Sequence, residues 1–130
     1  KASGELVGGN LSLIHTLAGT PSDLLTKGKI LFLEDLDEYL YHIDRMMMNL
    51  KRSGKLQGLK ALVIGGMTDM KDNAIPFGKS AEEIILDAVK EYDYPVAFGI
   101  SSGHIEHNEP LVMGRKMKLV VGEQTSLIDK

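Results

Sequence analysis

Two residues stand where their types and positions could do chemistry. Glu34 follows directly on the apolar run Ile30-Leu31-Phe32-Leu33, and His104 follows Gly103 shortly after Pro95-Val96-Ala97-Phe98. Continuous apolar runs of that length read as strands covered on both faces. Open α/β sheets bind ligands in the crevice beyond the carboxyl ends of their strands. A carboxylate and an imidazole meeting there would make an orienter and a base, a pair that still needs a nucleophile to act on. The plainer reading of Glu34 is a helix-start acid serving the dipole. That reading suits Asp35, Asp37 and Glu38 better than Glu34, which lies nearest the strand. The plainer reading of His104 is a surface or structural histidine.

Other motifs carry less. Gly99-Ile100-Ser101-Ser102-Gly103 matches the G-x-S-x-G nucleophile pattern and follows a strand. That motif also needs a helix immediately afterwards. The residues that follow, His104 to Pro110, make poor helix, so a Gly/Ser-rich turn is the better reading. His104, Glu106 and His107 lack the H-E-x-x-H spacing, and zinc would need another well-placed ligand, so no metal is expected. Gly8-Gly9-Asn10 could open an anion-binding helix, but a tight turn and an N-cap explain it. Met46-Met47-Met48 fits a core helix with one Met partly exposed. Asp44-Arg45 fits either an ion pair or a partner-facing patch.

The elements that must position Glu34 and His104 can be read from periodicity. Glu5-Leu6-Val7 is a short strand running into Gly8-Gly9. Asn10 caps a helix that carries Leu11, Leu13, Ile14, Leu17 and Ala18 and stops at Gly19-Thr20-Pro21. Leu36, Tyr39, Leu40, Ile43, Met46, Met47 and Leu50 recur at steps of three and four, the mark of the longest helix. Its acids would sit at the start and Lys51-Arg52 at the end. Ala61 to Ile64 is a further strand, ended by Gly65-Gly66, and residues 67–78 read as a loop. Ser80-Ala81-Glu82-Glu83 fits a capping box opening a second amphipathic helix. Met117 to Val121 and Thr125 to Ile128 read as a hairpin. Strands alternating with three helices, followed by the hairpin, predict one α/β domain over 1–130, with a mostly parallel sheet and flanking helices.

Composition sets the outer bounds. The chain has 130 residues, 43% apolar and 25% charged, which is globular and long enough for a core of its own. Eighteen acids against fifteen bases give a net charge of −3, which argues against a nucleic-acid footprint. There is no cysteine, so thiolate metal sites and cysteine nucleophiles are excluded. No apolar stretch approaches the roughly 20 residues of a bilayer span, and no signal peptide opens the chain. Nucleic acid and membrane are therefore not expected partners. The chain begins Lys1-Ala2-Ser3-Gly4 without an initiator Met, so a piece of a longer protein is expected.

Several pieces occur in one order: Gly8-Gly9-Asn10-Leu11, Gly19-Thr20-Pro21, Ile30-Leu31-Phe32-Leu33-Glu34-Asp35, Tyr41-His42-Ile43-Asp44-Arg45-Met46 and Gly103-His104. Each alone is unspecific. In this order and spacing, over residues of about 5–121, the set resembles the C-terminal half of LD-carboxypeptidases. That serine peptidase family includes muramoyltetrapeptide carboxypeptidase and the microcin C immunity peptidase.

The resemblance implies two-domain enzymes with a Ser–His–Glu triad and no cofactor. It places the glutamate on Glu34 and the histidine on His104. It puts the serine in an N-terminal domain absent from this chain, which alone would be inactive; Ser101 and Ser102 do not map to it. It implies a C-terminal domain of swivelling β/β/α type, a murein tetrapeptide substrate that loses its terminal D-alanine, cytoplasmic wall recycling and a homodimer. Two alternatives stay open. One is an immunity-type peptidase cleaving peptidyl-nucleotides, which would want an aromatic to stack a base; the chain has no Trp. The other is a non-catalytic interaction module with Met46 to Met48 at its interface.

Overall fold

In the computed structural model, residues 1–122 and 125–129 are described. Six strands and three helices follow one another as expected: β1 (Ala2–Asn10), α1 (Leu11–Leu17), β2 (Ile30–Leu36), α2 (Leu40–Arg52), β3 (Ala61–Thr68), α3 (Ala81–Val89), β4 (Val96–Ala97), β5 (Lys116–Val120) and β6 (Ser126–Asp129). They form one sheet in the order β4-β3-β2-β1-β5-β6. The first four strands in chain order are parallel, and β5 and β6 are antiparallel additions on the β1 side. The β5–β6 pair is the expected hairpin; residues 123 and 124 of its connection lie outside the described residues.

Each crossover from β1 to β4 steps to the next strand in the same direction. Right-handed crossovers of that kind place their helices on one face. Accordingly Leu31, Leu33, Leu62 and Ile64 share one core cluster with Ile14 of α1, Met46 of α2 and Ile85 of α3. The alternate residues Ile30, Phe32, Ala61 and Val63 pack on the opposite face with Met117 and Leu119 of β5, and Ile100 and Leu111 close over them. The pleat thus explains the unbroken apolar runs: both faces of β2 and β3 are covered.

Helix α2 is anchored by Ile43, Met46, Met47 and Leu50, none more than 1% exposed, while Met48 turns outward. Burial of such side chains contributes about 2 kcal/mol each. The capping box at Ser80 and Glu83 is formed, as is the Asn10 cap on α1.

Three local expectations are revised. The acids after Leu33 do not begin α2; the first turn of that helix has none. Strand β2 runs on through Glu34 and Asp35 to Leu36, and an isolated bridge from Tyr39 to Lys71 follows it. Asp37 N donates to Thr68 O, Lys71 N to Glu38 O and Leu40 N to Lys71 O. These bonds use the backbone groups that a helix start would need, so α2 begins only at Leu40. Neither glycine pair ends its strand. Gly8 and Gly9 lie inside β1, and a Cβ on Gly8 would fall 1.9 Å from Phe32 O. Gly65 and Gly66 lie inside β3, where close neighbours also leave no room for side chains.

Candidate active site

Glu34 lies at the C-terminal end of the parallel strands, opposite Asn10 of β1 in register. The pleat sends it to the Phe32 face and Asp35 to the helix face. Across from Glu34 the β2–β3 ladder slips: Leu33 pairs with Ile64, but Asp35 pairs with Met67. Two steps on β2 thus face three on β3, a bulge that takes in Gly65 and Gly66. Bulges beside functional sites re-aim side chains and interrupt pairing.

The freed edge receives the loop that carries His104. Ile100 N donates to Ile64 O at 3.1 Å, and Gly66 N to Ser102 O at 3.0 Å. A Cβ on Gly65 would stand 2.2 Å from that same Ser102 oxygen. The loop therefore tracks the second half of β3 because both glycines are bare. It then turns at Gly103, whose φ is +115° and whose Cβ, were there one, would lie 2.8 Å from Glu34 Oε2. Only glycine allows this conformation and this approach.

His104 arrives with its ring Nδ1 2.8 Å from Glu34 Oε2, and its backbone N donates to the same oxygen at 3.2 Å. Glu34 is 5% exposed, and no other hydrogen bond to its carboxylate is formed among the described residues. An ionised carboxylate only accepts, so Nδ1 carries the ring proton in this contact and Nε2, on the far side of the ring, is the basic nitrogen. The His104 side chain is 52% exposed, so that nitrogen is reachable. A carboxylate oriented on one ring nitrogen with the other ring nitrogen open is the geometry an orienter–base pair requires.

The sequence reading brought Glu34 and His104 forward, and the structure joins them across 70 positions of chain. It does not join the other candidates to them. His107 pairs with Glu109 at 3.2 Å on the exposed loop. No helix follows Gly103, so Ser101 does not sit on a nucleophile elbow. Among the described residues no group of three His, Asp or Glu side chains is placed to hold a metal. Arg45 lies over the Tyr41 ring, 5.4 Å from its centroid.

Sequence reasoning missed Asp35. It is 1% exposed and accepts from Asn10 Nδ2 at 3.0 Å and from Ser12 N at 2.9 Å. It thus fixes the start of α1 to the strand end that bears Glu34. The strand period could have signalled this, because residues 31, 33 and 35 share the helix face. Beyond the strand end, Asp37 adopts φ 59° and pairs with Lys71. The hydrogen bond that the ammonium donates to that carboxylate holds the Lys71 pKa above its ordinary value.

A family model described as the LD-carboxypeptidase C-terminal domain matches residues 3–119. The chain belongs to that family. A Bacillus subtilis protein named "probable murein peptide carboxypeptidase" is 36% identical over 99% of this chain and 40% of its own length. The crystal structure of muramoyltetrapeptide carboxypeptidase from Oxalobacter formigenes superimposes with a TM-score of 0.84 at 31% identity, over 98% of this chain and 45% of that one. The microcin C7 self immunity protein gives the same TM-score at 21% identity, covering 99% of this chain and 38% of that one, and attests the fold alone. The LD-carboxypeptidase domain described here thus spans about two fifths of the length of the curated relative it matches.

Proposed function

We propose that this chain is the C-terminal domain of a serine-type LD-carboxypeptidase, in which Glu34 and His104 are two members of a triad. The 2.8 Å contact between His104 Nδ1 and Glu34 Oε2 carries the reading. The nucleophilic serine is assigned to a preceding N-terminal domain; no serine hydroxyl among the described residues is hydrogen-bonded to His104. The proposed substrate is a murein tetrapeptide, following the names of relatives at 31–36% identity.

The Glu34–His104 contact supports the following chemistry. His104 Nε2 takes the proton of the serine hydroxyl as its oxygen attacks the carbonyl of the L-centre. Glu34 keeps the ring in the Nδ1–H tautomer and stabilises the imidazolium that forms. The imidazolium then gives its proton to the amine of D-alanine, which leaves as the C–N bond breaks. Water, deprotonated by the same nitrogen, hydrolyses the acyl-enzyme and restores the serine. On this reading the full-length enzyme works as a homodimer in the cytoplasm, on recycled wall fragments. Among the described residues no helix is long and apolar enough to cross a membrane.

The test is D-alanine release from murein tetrapeptide. The full-length enzyme should release one D-alanine per peptide and leave a tetrapeptide ending in L-alanine intact. The 130-residue chain alone should release none. Release by the chain alone would place the nucleophile here and overturn the two-domain reading. Equal cleavage of both peptides would overturn the L,D assignment.

A further inference from the structure

The segment carrying His104 has no regular structure from Phe98 to Val112, yet its imidazole must hold one orientation on Glu34. Its ties to the sheet are few. Ile100 and Ser102 bond to β3 through backbone atoms. Gly103 N donates to Asn108 Oδ1 at 3.1 Å, a bond inside the segment itself. Apart from the two bonds to Glu34, one side-chain hydrogen bond reaches it from the sheet among the described residues: Thr68 Oγ1 donates to His104 O at 2.7 Å.

Thr68 is well placed for this. It closes β3 two residues beyond Gly66, opposite Leu36 of β2. Its own carbonyl accepts from Asp37 N at 2.9 Å, three residues beyond Glu34. One residue therefore holds the strand of the glutamate by its backbone and the loop of the histidine by its hydroxyl. Ile105 completes the clasp: a Cβ on Gly66 would meet Ile105 Cγ2 at 2.4 Å and Thr68 Oγ1 at 3.1 Å, so both groups lie over bare backbone. The histidine carbonyl is thus fixed on one side and the next side chain on the other. Between them they constrain the ψ of His104, whose ring rests on Glu34.

We propose that Thr68 is a positioning residue for the reaction: its hydroxyl fixes the His104 backbone so that Nδ1 stays on Glu34 and Nε2 points at the nucleophile. The proposal rests on the reading of Glu34 and His104 as the catalytic pair. The Thr68 hydroxyl bonds to the His104 carbonyl and not to its ring. It acts through His104, and small misplacements of a reacting group are costly in rate.

The experiment compares full-length enzymes carrying Thr68→Val, Thr68→Ser and His104→Ala, with D-alanine release as the kinetic readout. Thr68→Val keeps the shape and removes the donor. It should lower kcat by about 10- to 100-fold with KM little changed. Thr68→Ser keeps the donor and should restore kcat to within about threefold of the parent. The proton on His104 Nδ1, followed by its downfield NMR signal, should exchange faster in Thr68→Val and normally in Thr68→Ser. If Thr68→Val fails to fold, Thr68→Ala takes its place with the same expectation. A valine variant with parental kcat and an unchanged proton signal, alongside an inactive His104→Ala, overturns the role of Thr68 alone. A valine and a serine variant equally impaired also overturn it, because the methyl group or packing would then be responsible. An active His104→Ala overturns the catalytic pair itself, and the proposal with it.

Discussion

At the scale of residues, the site depends on an atom that is missing by chemistry. Gly103 combines a φ of +115° with a contact that would put a Cβ 2.9 Å from the Glu34 Cβ. Gly103→Ala must therefore either rotate the backbone that carries His104 or push Glu34 out of its pocket. The expected result is a kcat loss of about 10²-fold or more in the full-length enzyme. The accompanying stability loss should be only about 1–3 kcal/mol, the usual cost of a non-glycine residue in such a conformation. Steady-state kinetics and thermal unfolding on the same preparation check both figures. Glu34 and His104 were legible in the sequence because each follows an apolar run, and strand ends are where such sheets place ligands. Their meeting could be anticipated, but the path that brings them together was not legible, because it depends on how a segment without regular structure folds back along β3. Thr68 was hidden for the same reason: nothing near it in sequence names its partner 36 positions away.

At the scale of elements, the order of strands and helices was legible from periodicity, and the exact ends of strands were not. The acidic run after Leu33 resembles a helix start, yet it belongs to β2, where Asp35 serves the N-terminus of α1 instead of α2. The dipole argument was sound and was applied to the wrong helix, since tertiary pairing with residues 68–71 outcompeted a local helix start. The glycine pairs misled in a similar way. Gly8 and Gly65 are required by the close approach of Phe32 O and Ser102 O, and neither makes a turn. The predicted weight of Asp35 can be measured. Asp35→Ala leaves Asn10 Nδ2 and Ser12 N without their acceptor beside a buried strand. Losing those bonds should cost about 2–4 kcal/mol. Urea unfolding should show it as a lower midpoint with an unchanged slope. A midpoint equal to the parent would mean that α1 is held by its apolar face alone.

At the scale of the whole molecule, the arrangement fits the half of a catalytic device proposed for it. A buried carboxylate holds one nitrogen of an imidazole whose other side is open, on a chain that spans about two fifths of a curated relative's length. The parallel strands, the three helices on one face and the β5–β6 pair form the support that keeps Glu34 rigid. The loop along β3 is the part that has to be held, by Gly66, Thr68 and Ile105. The fold class and the family were legible in the ordered set of short motifs. The most direct test is D-alanine release from murein tetrapeptide by the full-length enzyme carrying His104→Ala, with its melting temperature measured alongside. The expected kcat is at least about 10³-fold below the parent, with a melting temperature within a few degrees. A folded His104→Ala enzyme whose turnover stays within about tenfold of the parent would contradict it.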